Sequence, residues 1–208
     1  MCLALFGVWA TPALALSPYE FAWQLPLPQG NELRGLAFAD LQNGYAVGPA
    51  GALVRTTDGG ASWFGASDFT EFSKDLNDVI VLPSGALLAV GEAPGIFRSD
   101  DQGATWQDVP NPSTGALQDI EVVTGVILSA VGAAGQVLRS TNEGATWAAA
   151  TPASVNQAHE QLWLDAQNGY VVGNLFARRT TNGGVTWTAA PSPAARCSTR
   201  RRSRATGE

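Results

Sequence analysis

The stretch that decides the fold is TTDGGASW, residues 56–63, which places a tryptophan almost directly after a glycine turn. The pattern is hydroxyl, any, Asp or Asn, any, Gly, any, hydroxyl, Trp, and is here called the box. Four copies occur: TTDGGASW from Thr56, SDDQGATW from Ser99, STNEGATW from Ser140 and TTNGGVTW from Thr180. Their tryptophans are spaced 43, 41 and 40 residues apart. A period near forty, with short apolar segments between the copies, is typical of stacked β units.

Each repeat unit predicts four short strands. In the second unit, KDLNDVIVL from Lys74, ALLAVG, IFRS and TWQDV are the strands, and PSG, EAPG and the box are the turns. The glycines that close the second strands recur at intervals of 43, 41 and 41 residues: Gly48, Gly91, Gly132 and Gly173. These second strands are apolar throughout, as expected for burial on both faces. Four strands per unit make one propeller blade, so the sequence predicts an all-β propeller of about four blades over residues 19–190.

The box chemistry explains where the tryptophan stands. An Asp or Asn is expected to accept backbone N–H bonds across the hairpin, at Asp58, Asp101, Asn142 and Asn182. The glycine two residues later is expected to adopt positive φ, at Gly60, Gly103, Gly144 and Gly184. The ring then covers the hairpin from the outer strand and packs between blades, at Trp63, Trp106, Trp147 and Trp187. The box is therefore predicted to be structural, with a carbohydrate or calcium contact as the alternative.

Composition narrows the function classes. The 23 glycines and the 14% of charged residues favour a turn-rich β protein. The net charge is -6, and five of the 12 Lys and Arg residues fall within residues 196–208. The repeats are therefore more acidic than the net charge of the chain indicates. For this reason we do not expect the repeats to bind nucleic acid. Cys2 and Cys197 lie outside the repeats, and His159 is the single histidine. The sequence thus predicts no disulfide framework, no metal site and no cofactor.

The first residues predict export. MCLALFGVWATPALAL is apolar and offers Ala13-Leu14-Ala15 as a cleavage site, which makes residues 1–15 a signal peptide. The segment is shorter than the roughly 20 residues of a membrane-spanning helix. It lacks a Lys or Arg after Met1, so either the signal is atypical or the start is misplaced.

The two ends of the repeat region are irregular. Trp23 stands 40 residues before Trp63 and has no box, which marks residues 21–25 as an outer strand without its own blade. Residues 191–208 have no strand pattern and are rich in arginine. Three interpretations of this tail stay open: a frameshifted or truncated coding sequence, a disordered basic tail, and a nucleic-acid or membrane-surface patch. The open edge of an incomplete ring predicts self-association.

A longer string around each box carries a family resemblance. It reads AVGPAGALVRTTDGGASW, AVGEAPGIFRSDDQGATW, AVGAAGQVLRSTNEGATW and VVGNLFARRTTNGGVTW. The box resembles the Asp-box, or bacterial neuraminidase repeat, and the longer string resembles the photosystem II stability and assembly factor family over about residues 19–190. The resemblance implies a seven-bladed propeller, of which the four blades would be a part. It also implies a periplasmic or thylakoid-lumen location and a non-catalytic role in binding membrane-protein subunits during assembly.

An arginine precedes every box, at Arg55, Arg98, Arg139 and Arg179. Repetition in each blade predicts a ring of cations that suits an acidic or carboxylate-bearing peptide segment. The alternative is that each arginine stacks on a tryptophan or pairs with the box carboxylate. In either case the protein is expected to be at most peripheral to a membrane.

Two other classes use Asp-box propellers. A sialidase needs an arginine cluster, a tyrosine nucleophile with an acidic partner and a separate acid catalyst. The chain offers Tyr19, Tyr45 and Tyr170, and the last two occupy the same NGY place in their repeats, which favours a structural role. A sortilin-like binding module usually brings a cysteine-rich neighbour and a membrane span, and neither occurs in these 208 residues. The sequence therefore predicts a non-enzymatic binding protein with no catalytic residues.

Overall fold

The computed structural model describes residues 32–65, 73–150, 152–154 and 156–190. These residues form sixteen strands in four separate four-stranded sheets, which confirms the predicted all-β fold. Within each sheet the strands follow chain order and neighbouring strands pair antiparallel. The helical segments of the described residues are two 3-10 turns, Pro49–Gly51 and Ala133–Gly135, and neither is a candidate to cross a membrane.

The four sheets are the predicted blades, numbered in chain order. Blade 1 contains β1 (Gly35–Phe38), β2 (Gly44–Val47), β3 (Leu53–Thr56) and β4 (Phe64–Gly65). Blade 2 contains β5 (Leu76–Val81), β6 (Leu87–Gly91), β7 (Ile96–Ser99) and β8 (Gln107–Asp108). Blade 3 contains β9 (Leu117–Thr124), β10 (Ile127–Gly132), β11 (Val137–Ser140) and β12 (Ala148–Ala149). Blade 4 contains β13 (Ala158–Trp163), β14 (Gly169–Gly173), β15 (Phe176–Thr180) and β16 (Thr188–Ala189).

The first strands of successive blades lie side by side, as the inner strands of a propeller do. Each blade therefore has one face toward the blade before it and one toward the blade after it, here called its preceding face and its following face. Side chains alternate between these faces along β5. Val79 and Val81 pack into the cluster shared with blade 1, whereas Ile80 and Leu82 pack into the cluster shared with blade 3.

The hydrophobic core is divided among the junctions between blades. Phe97 is fully buried between blades 1 and 2, and Leu88 and Leu128 are fully buried between blades 2 and 3. A smaller cluster around Val131 and Val171 joins blades 3 and 4. The second strands supply much of this core, and β6 is buried along its whole length. The predicted burial of these strands on both faces follows from their position between neighbouring sheets.

One pair of facing residues on the first and second strands differs between blades 1 and 4 on one side and blades 2 and 3 on the other. In blade 1 the Phe38 ring covers Gly44 so closely that a Cβ on the glycine would lie 2.7 Å from a ring carbon. In blade 4 the Trp163 ring covers Gly169 at the same spacing. The inner blades pair a smaller inner-strand residue with a larger partner: Val81 with Leu87, and Val122 with Leu128. A large residue against a small one conserves the packed volume in both arrangements.

The outer strands correct one expectation from the sequence. Segments such as TWQDV were predicted to be strands that include the tryptophan, but each outer strand pairs over two residues only and begins after it. The box turn occupies the residues up to the tryptophan, which leaves little chain to pair with the third strand. The predicted signal peptide, the strand at residues 21–25 and the tail at residues 191–208 lie outside the described residues.

Candidate functional site

The box turn holds itself together with side-chain hydrogen bonds. In blade 1, the Ser62 amide donates to Asp58 Oδ1 at 2.8 Å and the Ser62 hydroxyl donates to Asp58 Oδ2 at 2.5 Å. The Gly60 amide donates to Thr56 Oγ1 at 2.9 Å. The Ser62 hydroxyl first, then the Ser62 amide and the Thr56 hydroxyl, lower the pKa of Asp58 to about 2 by hydrogen-bonding to its carboxylate. The carboxylate is thus engaged inside its own turn.

The other three boxes repeat this network with either Asp or Asn. Asp101 accepts the Thr105 amide at 2.8 Å, and Asn142 accepts the Thr146 amide at 2.9 Å. The Asn side chain also donates its Nδ2 hydrogen to Thr146 Oγ1, which reverses the hydroxyl bond that an Asp receives. Asn182 forms the same pair of bonds with Thr186. A neutral residue in two boxes means that the turn does not require a negative charge.

Two consecutive residues of each box adopt positive φ. The sequence predicted positive φ for the second of these residues, the glycine of the box pattern, which has φ of +89° at Gly103 and +76° at Gly144. The residue before it is also left-handed, including the non-glycines Gln102 at +61° and Glu143 at +54°. Glycine adopts positive φ readily, whereas Gln and Glu rarely do. Sequence reasoning missed these residues because Gln and Glu carry no signal for that conformation.

The box tryptophans pack toward the blade junctions. Trp147 is buried, and its indole N–H donates to the Gly144 carbonyl at 3.0 Å. Trp63 contacts Phe38 edge-to-face with ring centroids 6.2 Å apart, and Trp187 contacts Trp163 in the same way at 5.9 Å. In the end blades the box ring therefore packs on the aromatic residue that covers the second-strand glycine.

The four predicted binding arginines occupy one equivalent place on the third strand and face the following blade. Each pairs across the sheet with a residue of the second strand: Arg55 with Tyr45, Arg98 with Leu88, Arg139 with Ser129 and Arg179 with Tyr170. The arginines therefore recur once in each of the four described blades at equivalent cross-strand positions. Peptide binding by these residues stays a prediction.

Two of the arginines contact the box turn of the next blade. Arg98 donates from Nη1 to the Glu143 carbonyl of blade 3 at 3.2 Å. Arg139 donates to the Gly183 carbonyl of blade 4. Arg98 also forms an ion pair with Asp100 at 2.8 Å, the residue just before the box aspartate. These arginines therefore link neighbouring blades, a contact that neither alternative from the sequence included.

The other two arginines have different surroundings. Arg55 is exposed and lies beside Tyr45, where burial raises the pKa of the tyrosine and the Arg55 charge partly offsets that rise. Arg179 is half-buried, and its Nε hydrogen has no acceptor among the described residues. Tyr45 is buried and Tyr170 half-buried, while Tyr19 lies outside the described residues.

A second repeated contact joins the inner strands, and sequence reasoning missed it. Asp78 of blade 2 accepts the Ile120 amide of blade 3 at 3.1 Å. Asp119 of blade 3 accepts the Gln161 amide of blade 4 at 3.1 Å. Asp78 and Asp119 are equivalent because each pairs with the valine that precedes the closing glycine of the second strand. The 41-residue spacing of these two aspartates was the signal that could have revealed the contact.

Burial makes these inner-strand acids weak acids. Desolvation first, and the negative charge of Asp78 second, raise the pKa of Asp119 to about 7. Desolvation also raises the pKa of Asp78, although the Ile120 amide opposes the rise. The two side chains are hydrogen-bonded to each other. The pair can therefore retain a proton near neutral pH. Within the described ranges, no group of three or more His, Cys, Asp or Glu residues is arranged to hold a metal ion.

Comparisons with known proteins match both the sequence and the fold. The family profile described as photosynthesis system II assembly factor YCF48 matches residues 16–162. Among solved structures, YCF48 bound to D1 peptide has a TM-score of 0.66 at 23% identity, covering 86% of this chain and 60% of that one. YCF48 from Cyanidioschyzon merolae has a TM-score of 0.62 at 21% identity, with coverages of 82% and 60%. No curated protein sequence matches the chain.

The same fold also occurs in enzymes. The GH74 enzyme of Niastella koreensis has a TM-score of 0.56 at 22% identity, and the match covers 76% of this chain but 24% of the enzyme. At these identities the structural matches show a common fold. The chain spans about 60% of the length of the two YCF48 structures.

Proposed function

Because this chain belongs to the photosynthesis system II assembly factor YCF48 family, as its matched residues 16–162 show, we propose that it is a non-catalytic β-propeller that binds a protein subunit during assembly of a membrane complex. The family match carries this proposal. It agrees with the resemblance seen in the box strings, and it is supported by the similarity to a YCF48 structure bound to D1 peptide.

The arginine ring is the proposed contact for the peptide. A guanidinium has five N–H donors and suits a carboxylate. Arg139 donates from one of its nitrogens to the Gly183 carbonyl, so its other N–H groups remain available to a ligand. Arg55 is exposed on the described surface. Arg55 is therefore the residue of the ring best placed to receive an acidic peptide, with Arg98, Arg139 and Arg179 at equivalent places in the other blades.

Titration of a fluorescent D1 peptide into the 208-residue chain tests this proposal. Arg55→Ala should weaken binding on the order of tenfold, as for the loss of a charge-assisted hydrogen bond. Arg34→Ala is the matched control, because it removes an arginine of the same blade that is instead engaged with Asn77 and Asp75. Equal affinity for wild type and Arg55→Ala, or no binding by the wild type, would overturn the proposal.

Export is part of the proposed function. An assembly factor of this kind acts in the periplasm, or in the thylakoid lumen of a photosynthetic host. N-terminal sequencing of the mature protein from an exported fraction should find the chain starting after Ala15. A mature protein that still begins at Met1 would contradict export by this signal.

The enzyme alternative has its own assay. The chain should not hydrolyse a fluorogenic sialoside above the rate of a heat-denatured sample. Turnover that is lost on substitution of Tyr170, the half-buried tyrosine, would replace the binding role with catalysis.

A further inference from the structure

The junction between blades 3 and 4 is polar at places where the junction between blades 2 and 3 is apolar. On the following face of blade 2, Ile80 of the first strand pairs with Leu88 of the second, and both pack into the hydrophobic core. Blade 3 has Glu121 and Ser129 as the equivalent pair. Ser129 is 1% exposed. A carboxylate and a buried hydroxyl therefore face blade 4, where blade 2 presents two aliphatic side chains to blade 3.

Blade 4 places an arginine opposite this polar face. The residue that precedes the third-strand arginine is fully buried and apolar in the first three blades: Val54, Phe97 and Leu138. In blade 4 this residue is Arg178, which pairs across the sheet with Val171. Val171 packs with Val131 of blade 3, and directly paired residues share a face of the sheet. The Arg178 side chain therefore lies in the junction with blade 3.

Polar atoms without a partner are concentrated in this junction. In the described ranges, four buried side-chain nitrogen or oxygen atoms have no hydrogen-bond partner. Three of them belong to the facing surfaces of blades 3 and 4: Ser129 Oγ, Arg178 Nε and Trp187 Nε1. The fourth, Arg179 Nε, lies on the opposite face of blade 4. Each of the three junction atoms carries a hydrogen that can be donated, and a buried donor without an acceptor is destabilising.

The polar groups on the inner side of the junction are already paired. Glu121 accepts the Trp163 amide at 3.2 Å. Gln161 donates from Nε2 to the Ser129 carbonyl at 2.9 Å and accepts the Trp163 indole N–H at 3.1 Å. These bonds join the first and second strands of the two blades. The donors of Arg178 and Trp187 that lack an acceptor lie farther out, on the third strand and just before the fourth.

Two guanidinium groups face this junction without an opposite charge. Arg139 lies on the following face of blade 3, so it and Arg178 extend from the third strands of facing sheets. In blade 2 the equivalent arginine, Arg98, forms an ion pair with Asp100, but blade 3 has Thr141 at the place of that acid. Among the described residues, neither Arg139 nor Arg178 forms an ion pair. The outer part of the junction therefore carries positive charge and hydrogen-bond donors.

We propose that a small oxyanion binds between blades 3 and 4 and bridges Arg139 and Arg178. A phosphate or carboxylate offers acceptor oxygens, which match the hydrogens of Ser129, Arg178 and Trp187 that lack a partner. Its negative charge offsets the two guanidinium charges, and an arginine binds such a group more strongly than a neutral acceptor. Arg139 has nitrogens for this contact besides the one that donates to Gly183. The inference does not depend on peptide binding by the arginine ring.

Urea denaturation of the 208-residue chain in inorganic phosphate measures the outcome. Sodium chloride holds the ionic strength constant, so that general screening is the same in every sample. We expect a saturable gain in stability at millimolar phosphate. At a phosphate concentration of about ten times Kd, the unfolding equilibrium constant should be about 11-fold lower than in chloride alone. Stability that does not depend on phosphate, or that rises without saturation as for an excluded salt, would overturn the proposal.

Arg178→Leu gives blade 4 the residue that blade 3 has at the same place, Leu138. Because an apolar side chain replaces a partly buried charge, the variant should be at least as stable as the wild type in chloride, and it should lose the response to phosphate. Arg179→Leu is the matched control, since it removes the same charge from the next residue, whose side chain faces away from blade 3. It should keep the response. A response that Arg179→Leu loses and Arg178→Leu keeps would place the anion outside this junction and overturn the proposal.

Ser129→Ala tests the same site with a smaller change. It removes a buried hydroxyl that has no partner and very little volume, so the stability in chloride should stay close to that of the wild type. The Kd for phosphate should rise about fivefold, as for the loss of one hydrogen bond. A phosphate affinity that is unchanged in both Ser129→Ala and Arg178→Leu would show that phosphate binds elsewhere and would contradict the proposal.

Competition with the D1 peptide separates the two sources of an oxyanion. If the site takes a free anion, phosphate binding should persist when the peptide is bound. If it takes a carboxylate of the peptide, the peptide should displace phosphate and should bind Arg178→Leu more weakly than the wild type. Arg55→Ala, in the junction between blades 1 and 2, should weaken peptide binding and keep the phosphate response. Peptide binding without a phosphate response, or the reverse, therefore shows which of the two proposals fails.

Discussion

Blades 2 and 3 and blades 1 and 4 are built from one repeat, yet they pack differently. The inner blades pair valine with leucine across the first two strands and bury both faces. The end blades pair an aromatic ring with glycine and expose one face each. The difference shows that the repeat specifies the sheet, whereas the neighbouring blade decides which of its side chains become core. The predictions below change one side of this comparison at a time.

The aromatic–glycine pair should be exchangeable for the inner-blade pair. Trp163→Val should lower the free energy of unfolding by about 3–4 kcal/mol because it leaves a cavity over Gly169. Gly169→Leu should also destabilise, because the Trp163 ring occupies the space of its side chain. The double variant should be more stable than the sum of the two losses by about 2 kcal/mol, measured by urea denaturation. Strict additivity would mean that the two residues do not share one packed volume.

Equivalent leucines should differ according to burial. Leu82→Ala should cost about 2–4 kcal/mol because Leu82 is buried between blades 2 and 3. Leu164→Ala, at the equivalent exposed place in blade 4, should cost less than about 0.5 kcal/mol. Urea denaturation of both variants measures the difference, and equal costs would contradict the comparison.

Box glycines should differ by what they contact. Gly60 and Gly103 have nearly the same φ, +90° and +89°, so Ala at either place incurs the same backbone strain. A Cβ on Gly103 would also overlap with the Leu53 side chain of blade 1, whereas one on Gly60 would meet Trp63 at 3.7 Å, an ordinary contact. Gly103→Ala should therefore be the more destabilising by about 1–2 kcal/mol in thermal and urea unfolding. The reverse order would show that strain alone decides.

Because Asp119 is buried, the free energy of unfolding should fall as pH rises. The pKa of Asp119 is raised to about 7 in the folded chain from an ordinary value of 3.8. The stability that its protonated form contributes is therefore complete below pH 3.8 and is lost as pH rises through 7. We expect a loss on the order of 2 kcal/mol between pH 5 and 8. The loss should be smaller in Asp119→Asn, where Asp78 remains as a buried acid with a raised pKa. Glu160→Gln changes the exposed equivalent and should keep the wild-type slope.

Much of this architecture could be predicted from one sequence because its determinants are local. The box turn needs only an acceptor, a glycine and a hydroxyl within eight residues, so the hairpins, the four blades and their strand order followed from the pattern. The third-strand arginines were found by the same repetition. Their contact could not be, because Arg98 reaches a carbonyl 45 residues away in another blade.

The missed features depend on neighbours that the sequence does not display. Asp78 and Asp119 are weak acids because adjacent blades bury them, and a 41-residue repeat alone does not reveal burial. Gln102 and Glu143 adopt left-handed conformations because the turn requires it, against their own preference. The replacement of a valine–leucine pair by an aromatic–glycine pair could have been predicted by aligning the repeats. Phe38 precedes Gly44 by six residues, and Val81 precedes Leu87 by the same interval.

Amide hydrogen exchange of the chain tests the repeated junction most directly. The Ile120 and Gln161 amides donate to carboxylates of the preceding blade, whereas Leu36 occupies the equivalent place with no preceding blade described. We predict slow exchange at Ile120 and Gln161 and fast exchange at Leu36. Equal exchange at all three amides would contradict the account.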